Sequence, residues 1–173
     1  MLSNLFKSKT TITLSEALEL KEKIQDKLKV NQNILRNENV VLKNQKRNYN
    51  LKKVLKENEV LQERLVILKL LIQKANLSVL EGEKQCISHH VYTLSEKKNL
   101  IQNYESMQRE TVEGDAREMG KKKVTEKELP VFSYTSLSDW LNQLKKDCFA
   151  IEASLTRLNK KVTVDVPFKT DFL

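Results

Sequence analysis

Between Ser136 and Asn159 the chain carries Leu137, Leu141, Leu144, Cys148, Ile151, Leu155 and Leu158, in alternating steps of four and three without interruption. Only a helix lines up such positions, because its 3.6-residue turn returns every third or fourth side chain to the same face. At 1.5 Å per residue the line is about 32 Å long. A second line, about 36 Å long by the same rise, runs through Leu51, Val54, Asn58, Leu61, Leu65, Leu68, Ile72 and Ala75. Stripes this narrow bury against another helix bearing a similar stripe, crossing near 20°. Two of them of matched length predict an all-α fold, an elongated helical bundle with coiled-coil heptad packing.

Composition points the same way. Sheet proteins need turn residues every few positions, and this chain has only three glycines and two prolines. Charged residues make up 31% and apolar residues 39%, a balance suited to helices with one buried stripe and a solvated outer face. A length of 173 residues fits a single domain.

Helix starts are marked where a hydroxyl can cap an orphan amide and an acid three residues later can reach back. Thr13–Glu16, Thr93–Glu96 and Ser136–Asp139 have this form. Behind the first, Leu14, Ala17, Ile24, Leu28, Leu35 and Leu42 hold a seven-residue phase, interrupted by Lys21, Asn31 and Glu38. The phase breaks before Leu51, which predicts a bend near KNQKRNYN; the alternative is one long helix with a stutter. The segment 76–92 loses the heptad, contains Gly82 and reads as a loop. The expected helices are 14–42, 50–76, 94–110 and 136–159, with a mobile polar segment over 109–130. VFSY at 131–134 reads as extended. So does 162–168, where Val162, Val164 and Val166 alternate with polar residues. A lone strand needs a partner, and the candidates are VFSY, a second copy of the chain or, by preference, the sides of the helices.

Two features of the second stripe bear on assembly. Residues 66–72, VILKLLI, are apolar on several faces, and a helix apolar all round is surrounded by others. One partner helix gives too little cover, so a homo-oligomer is expected with this helix at its centre. Asn58 interrupts the stripe at an a position, where an amide costs stability but fixes register. Either two copies satisfy it across a dimer axis, or it marks a solvated end of the seam.

Signals for chemistry are sparse. There is no glycine-rich phosphate loop, zincin motif or nucleophile elbow, so no catalytic residue, metal or cofactor is assigned and the chain reads as a non-enzyme. Cys86, His89 and His90 sit close together but complete no known ligand spacing. With Cys148 far away, they leave a reducing compartment as the default. No signal-peptide run and no membrane-length apolar stretch occurs, so a soluble, cytoplasmic protein is expected. The net charge is +8. Lys43, Lys46, Arg47, Lys52, Lys53 and Lys56 fall in an acid-free stretch with Tyr49 in its middle, a pattern able to neutralise phosphates without reading sequence.

The order of TLSEAL at 13–18, LIQKAN at 71–76, TLSE at 93–96 and IEASLTRLN at 151–159 resembles the DIP1984-like, or septicolysin-like, family of small bacterial helical proteins. Lys160 and the valine-rich tail depart from that family's pattern. The resemblance implies a helical fold and, from the family name, a hint of membrane lysis; it carries no functional residues with it. Three functions are therefore in play: coiled-coil self-association or scaffolding of a protein partner, sequence-independent nucleic-acid binding through the basic stretch, and membrane activity. The last is weakest, since no helix joins a wide apolar face to a cationic one.

Overall fold

The structure is a computed structural model describing residues 9–40, 46–120 and 131–170, with the backbone alone for 110–120. Among the described residues the elements are β1 (Thr10–Thr13), α1 (Leu14–Glu38), α2 (Leu51–Leu77), α3 (Ile87–Gly120), α4 (Tyr134–Lys161) and β2 (Thr163–Val166). The all-α class holds, with a two-stranded ribbon as its only sheet among the described residues. The single domain expected from length resolves into two compact units, Met1–Cys86 with Leu158–Leu173, and Ile87–Arg157.

In the first unit, α1 begins with the cap read from sequence. The Thr13 amide donates to Glu16 Oε2 at 2.7 Å, and the Glu16 amide donates to Thr13 Oγ1 at 3.2 Å. These bonds, the backbone one foremost, hold the Glu16 carboxyl below its usual range. α1 buries Leu14, Ala17, Leu20, Ile24, Leu28 and Asn31; α2 buries Val54, Asn58, Leu61, Leu68 and Ile72. The two helices pack on each other, and the break between them rules out the single stuttered helix. α1 stops at Glu38, four residues before the expected Leu42, which lies outside the described residues. The reason is a local set of bonds. Arg47 donates to the Glu38 and Asn39 carbonyls at 3.1 and 3.3 Å, and Asn48 donates to both Glu38 carboxylate oxygens, satisfying a helix end that would otherwise be orphaned. Asn50 then caps α2 through the Lys53 amide.

The valine-rich tail is a strand that lies against α1 and α2, as the preferred expectation has it, and it also has a pairing partner that is not among the expected candidates. β2 pairs antiparallel with β1, Thr10 opposite Val166 and Thr13 opposite Thr163. It does not pair with VFSY, where residues 131–133 bend into α4. The run Thr10, Thr11, Ile12, Thr13 is β-branched throughout and carries the signal. Period-2 alternation turns Val162, Val164, Val166 and Phe168 inward. The Phe168 ring lies 5.3 Å beneath the Arg64 guanidinium, within cation–π range.

The second unit starts earlier than expected. α3 begins at Ile87 rather than near 94, because the breaker Gly82, at φ 82°, lies well before it and nothing in ISHHVY stops a helix. Thr93 therefore sits inside the helix, its hydroxyl 3.4 Å from His89 Nδ1. At the other end α3 runs to Gly120, so 109–120 is helical: Ala116, Arg117, Glu118 and Met119 are strong formers, and one glycine at 114 costs only about 1 kcal/mol. The rest of the polar segment expected to be mobile, 121–130, lies outside the described residues. α4 starts two residues before Ser136, with the Ser133 hydroxyl accepting from the Ser136 amide. Its stripe is buried at Leu137, Leu141, Cys148 and Leu158 and half-buried at Leu144, Ile151 and Leu155; Leu158 belongs to the first unit. Three ion pairs tie α3 to α4: Lys97–Asp147 at 2.7 Å, Lys98–Glu152 at 2.8 Å and Glu105–Lys145 at 2.9 Å.

Candidate functional site

α2 presents three distinct environments around its circumference. Its buried line is the predicted one, with Leu51 and Leu65 half-buried at its margins. Asn58 is neither solvated nor waiting for a second copy. Asn31 Nδ2 donates to Asn58 Oδ1 at 2.9 Å and to Glu57 Oε2 at 3.2 Å, and Lys27 stands 3.7 Å from Glu57. The interruption in the α1 stripe and the interruption in the α2 stripe are one feature, an amide pair that locks the register of the two helices inside the chain.

A second face of α2 is partly apolar and exposed. Leu55, Val66, Leu70 and Leu77 are 50%, 58%, 61% and 60% exposed, and their spacings of eleven, four and seven place them on one line. This corrects the expectation that VILKLLI is surrounded: Leu68 and Ile72 are buried, while Val66 and Leu70 face solvent. Glu59 and Gln73, each seven positions from Val66, fall on the same line and interrupt it, Gln62, Glu63, Lys69 and Lys74 flank it, and all six are exposed.

The third environment is the basic end. Lys46, Lys52, Lys53 and Lys56 are exposed and make no ion pair among the described residues, whereas Arg47 is engaged in holding the end of α1. Lys43 lies outside the described residues. The first turn of α2 contains no acid, so its lysines meet the positive end of the helix dipole, an arrangement that costs a few tenths of a kcal/mol per charge. An anion there would offset that cost.

Other candidates come to less. Cys86 is half-buried and His89 exposed; the His89 and His90 rings meet edge to face at 6.1 Å. Among the described residues no group of three or more possible metal ligands occurs. In the second unit Trp140 meets Tyr104 at a tilt and Phe132 edge to face, at 5.8 and 5.2 Å, a half-exposed cluster that sequence spacing does not single out. Among the described residues no helix is long and apolar enough to cross a membrane.

No family model matches the chain, and no curated protein matches it. Among solved structures it is similar to a functionally unknown conserved protein from Corynebacterium diphtheriae, with a TM-score of 0.73 and 15% identity over 90% of this chain and 99% of that one. At that identity the likeness is one of fold.

Proposed function

We propose that this protein is a non-enzymatic, cytoplasmic member of the DIP1984-like family that acts by helix-mediated protein association, either with itself or as a scaffold for another protein. The observation that carries the reading is the uncovered line Leu55, Val66, Leu70 and Leu77 on a helix whose other side already closes a core. Apolar residues aligned on a well-supported helix form the surface that helix-pairing proteins use. The fold shared with an uncharacterised conserved bacterial protein supports the family placement. No cofactor is needed for this activity. Because Val66 and Leu70 are exposed, replacing both with aspartate leaves the fold intact by circular dichroism and abolishes association in light scattering and in capture of bound protein. Association unchanged in that variant overturns the reading.

A second reading, binding of a nucleic-acid phosphate backbone at the basic end, is favoured by the unpaired lysines at the start of α2. Changing Lys52, Lys53 and Lys56 to glutamine, with Arg47 kept because it holds α1, weakens retardation of nucleic acid. It also lowers the salt slope by about 0.9 for each phosphate no longer neutralised. Absence of retardation by the unmodified protein at low salt removes this reading.

A further inference from the structure

Resting on the association reading, we infer that the partner seated on the outer face of α2 is a second copy of this chain, running antiparallel, with the two-fold axis at Val66. Leucines stand at equal distances on either side of that residue. Eleven positions before Val66 stands Leu55, and eleven after it stands Leu77, so an antiparallel copy sets Leu55 on the partner's Leu77 at both ends, about 16 Å from the axis. Four positions either side stand Gln62 and Leu70, which places the stem of each glutamine over a leucine.

Charge decides the direction. Glu59 lies on the line itself, seven positions before Val66, and in the antiparallel pairing comes opposite Gln73 and within reach of the partner's Lys74. Both side chains are exposed and have no ion pair among the described residues. A parallel pairing would instead set Glu59 against its own equivalent. It would also bring together the two basic ends, each with Lys46, Lys52, Lys53 and Lys56 unpaired, and align the helix dipoles. The antiparallel copy keeps those ends about 42 Å apart, measured at Lys52. With four apolar side chains from each copy, the contact is small and the dimer is reversible.

Cysteine cross-linking and charge exchange test this on the full chain. Under mild oxidation Val66→Cys yields a covalent dimer and Lys52→Cys does not, above the background that Cys86 and Cys148 give in the unmodified protein. Glu59→Lys alone and Lys74→Glu alone each weaken dimerisation roughly tenfold, because every substitution acts at two symmetric contacts; the double exchange restores it. A protein monomeric at about 200 µM in sedimentation overturns this inference and self-association together. A dimer that cross-links at residue 52 rather than 66, or in which the double exchange restores nothing, overturns the antiparallel pairing and leaves association through another geometry standing.

Discussion

The two units of this chain solve the same problem, joining two long helices, with different chemistry. In the first, α1, α2 and β2 close over Leu14, Ala17, Leu20, Ile24, Leu28, Val54, Leu61, Leu68, Ile72, Val162, Val164, Val166 and Phe168. In the second, the buried apolar residues among those described are Ile87, Leu137, Leu141 and Cys148, and charged side chains span α3 and α4. Apolar burial contributes roughly 1.5–3 kcal/mol per large side chain. An exposed ion pair contributes at most about 1 kcal/mol and chiefly fixes geometry. Among the described residues most of the apolar burial therefore lies in the first unit, and in the second the ion pairs set alignment.

The strongest way to break that contrast is to put a charge into the first core. Leu68 is fully buried, and an aspartate there has no partner, so Leu68→Asp costs on the order of 4 kcal/mol. Amide exchange should lose protection across α1, α2 and the ribbon together. Protection that persists in α1 would show that the seam between α1 and α2 does not carry the unit.

The next largest effect comes from the amide pair. From sequence alone, leucine at 58 looks stabilising, since it completes an apolar stripe. With Asn31 facing it, Asn58→Leu leaves a buried amide short of an acceptor and costs about 1–3 kcal/mol. Replacing Asn31 with leucine as well removes both polar groups and brings the melting temperature back to the unmodified value or above it. A double-mutant cycle reads the coupling directly, and additive effects would mean the two amides are satisfied independently.

That pair also shows what is legible in the sequence. Periodicity along one segment locates the buried faces of α2 and α4, because a helix fixes which of its own residues share a side. It does not assign a partner to each face, since partner choice depends on where the chain turns. The turn here is made by Arg47, Asn48 and Asn50 bonding to helix ends, without a glycine or proline. Two matched stripes suggest a bundle closed by α2 and α4, yet the α2 stripe is closed by α1, whose pattern looks weak only while Asn31 counts as a defect. The ribbon is half visible: the valines of β2 announce a strand, while the threonines of β1 are overshadowed by the cap at their end. Of the candidate site, the basic end is legible as composition, but the role of Arg47 and the uncovered line on α2 require knowing which faces are already taken.

The smallest effect sharpens the contrast through pH. Hydrogen bonds from Lys97, and next from Gln143, hold the Asp147 carboxyl below its usual range. A depressed folded-state value contributes stability that is complete above the unfolded value, about 3.9, and is lost as pH falls through the folded one. Acidification from about pH 6 to pH 3 should therefore lower amide protection, measured against the intrinsic exchange rate at each pH, around residues 97 and 147. The loss should be modest, because the two side chains are only partly buried, 27% and 37% exposed. Lys97→Met removes the main cause of the depressed value, so its protection in these stretches should start lower and respond less to acid. The cap at Glu16, depressed by the Thr13 bonds, loosens the first turn of α1 over the same range and is untouched by that substitution. It serves as an internal reference. An equal acid response around Asp147 in both proteins would mean that the pair sets neither the titration nor the alignment of α3 and α4.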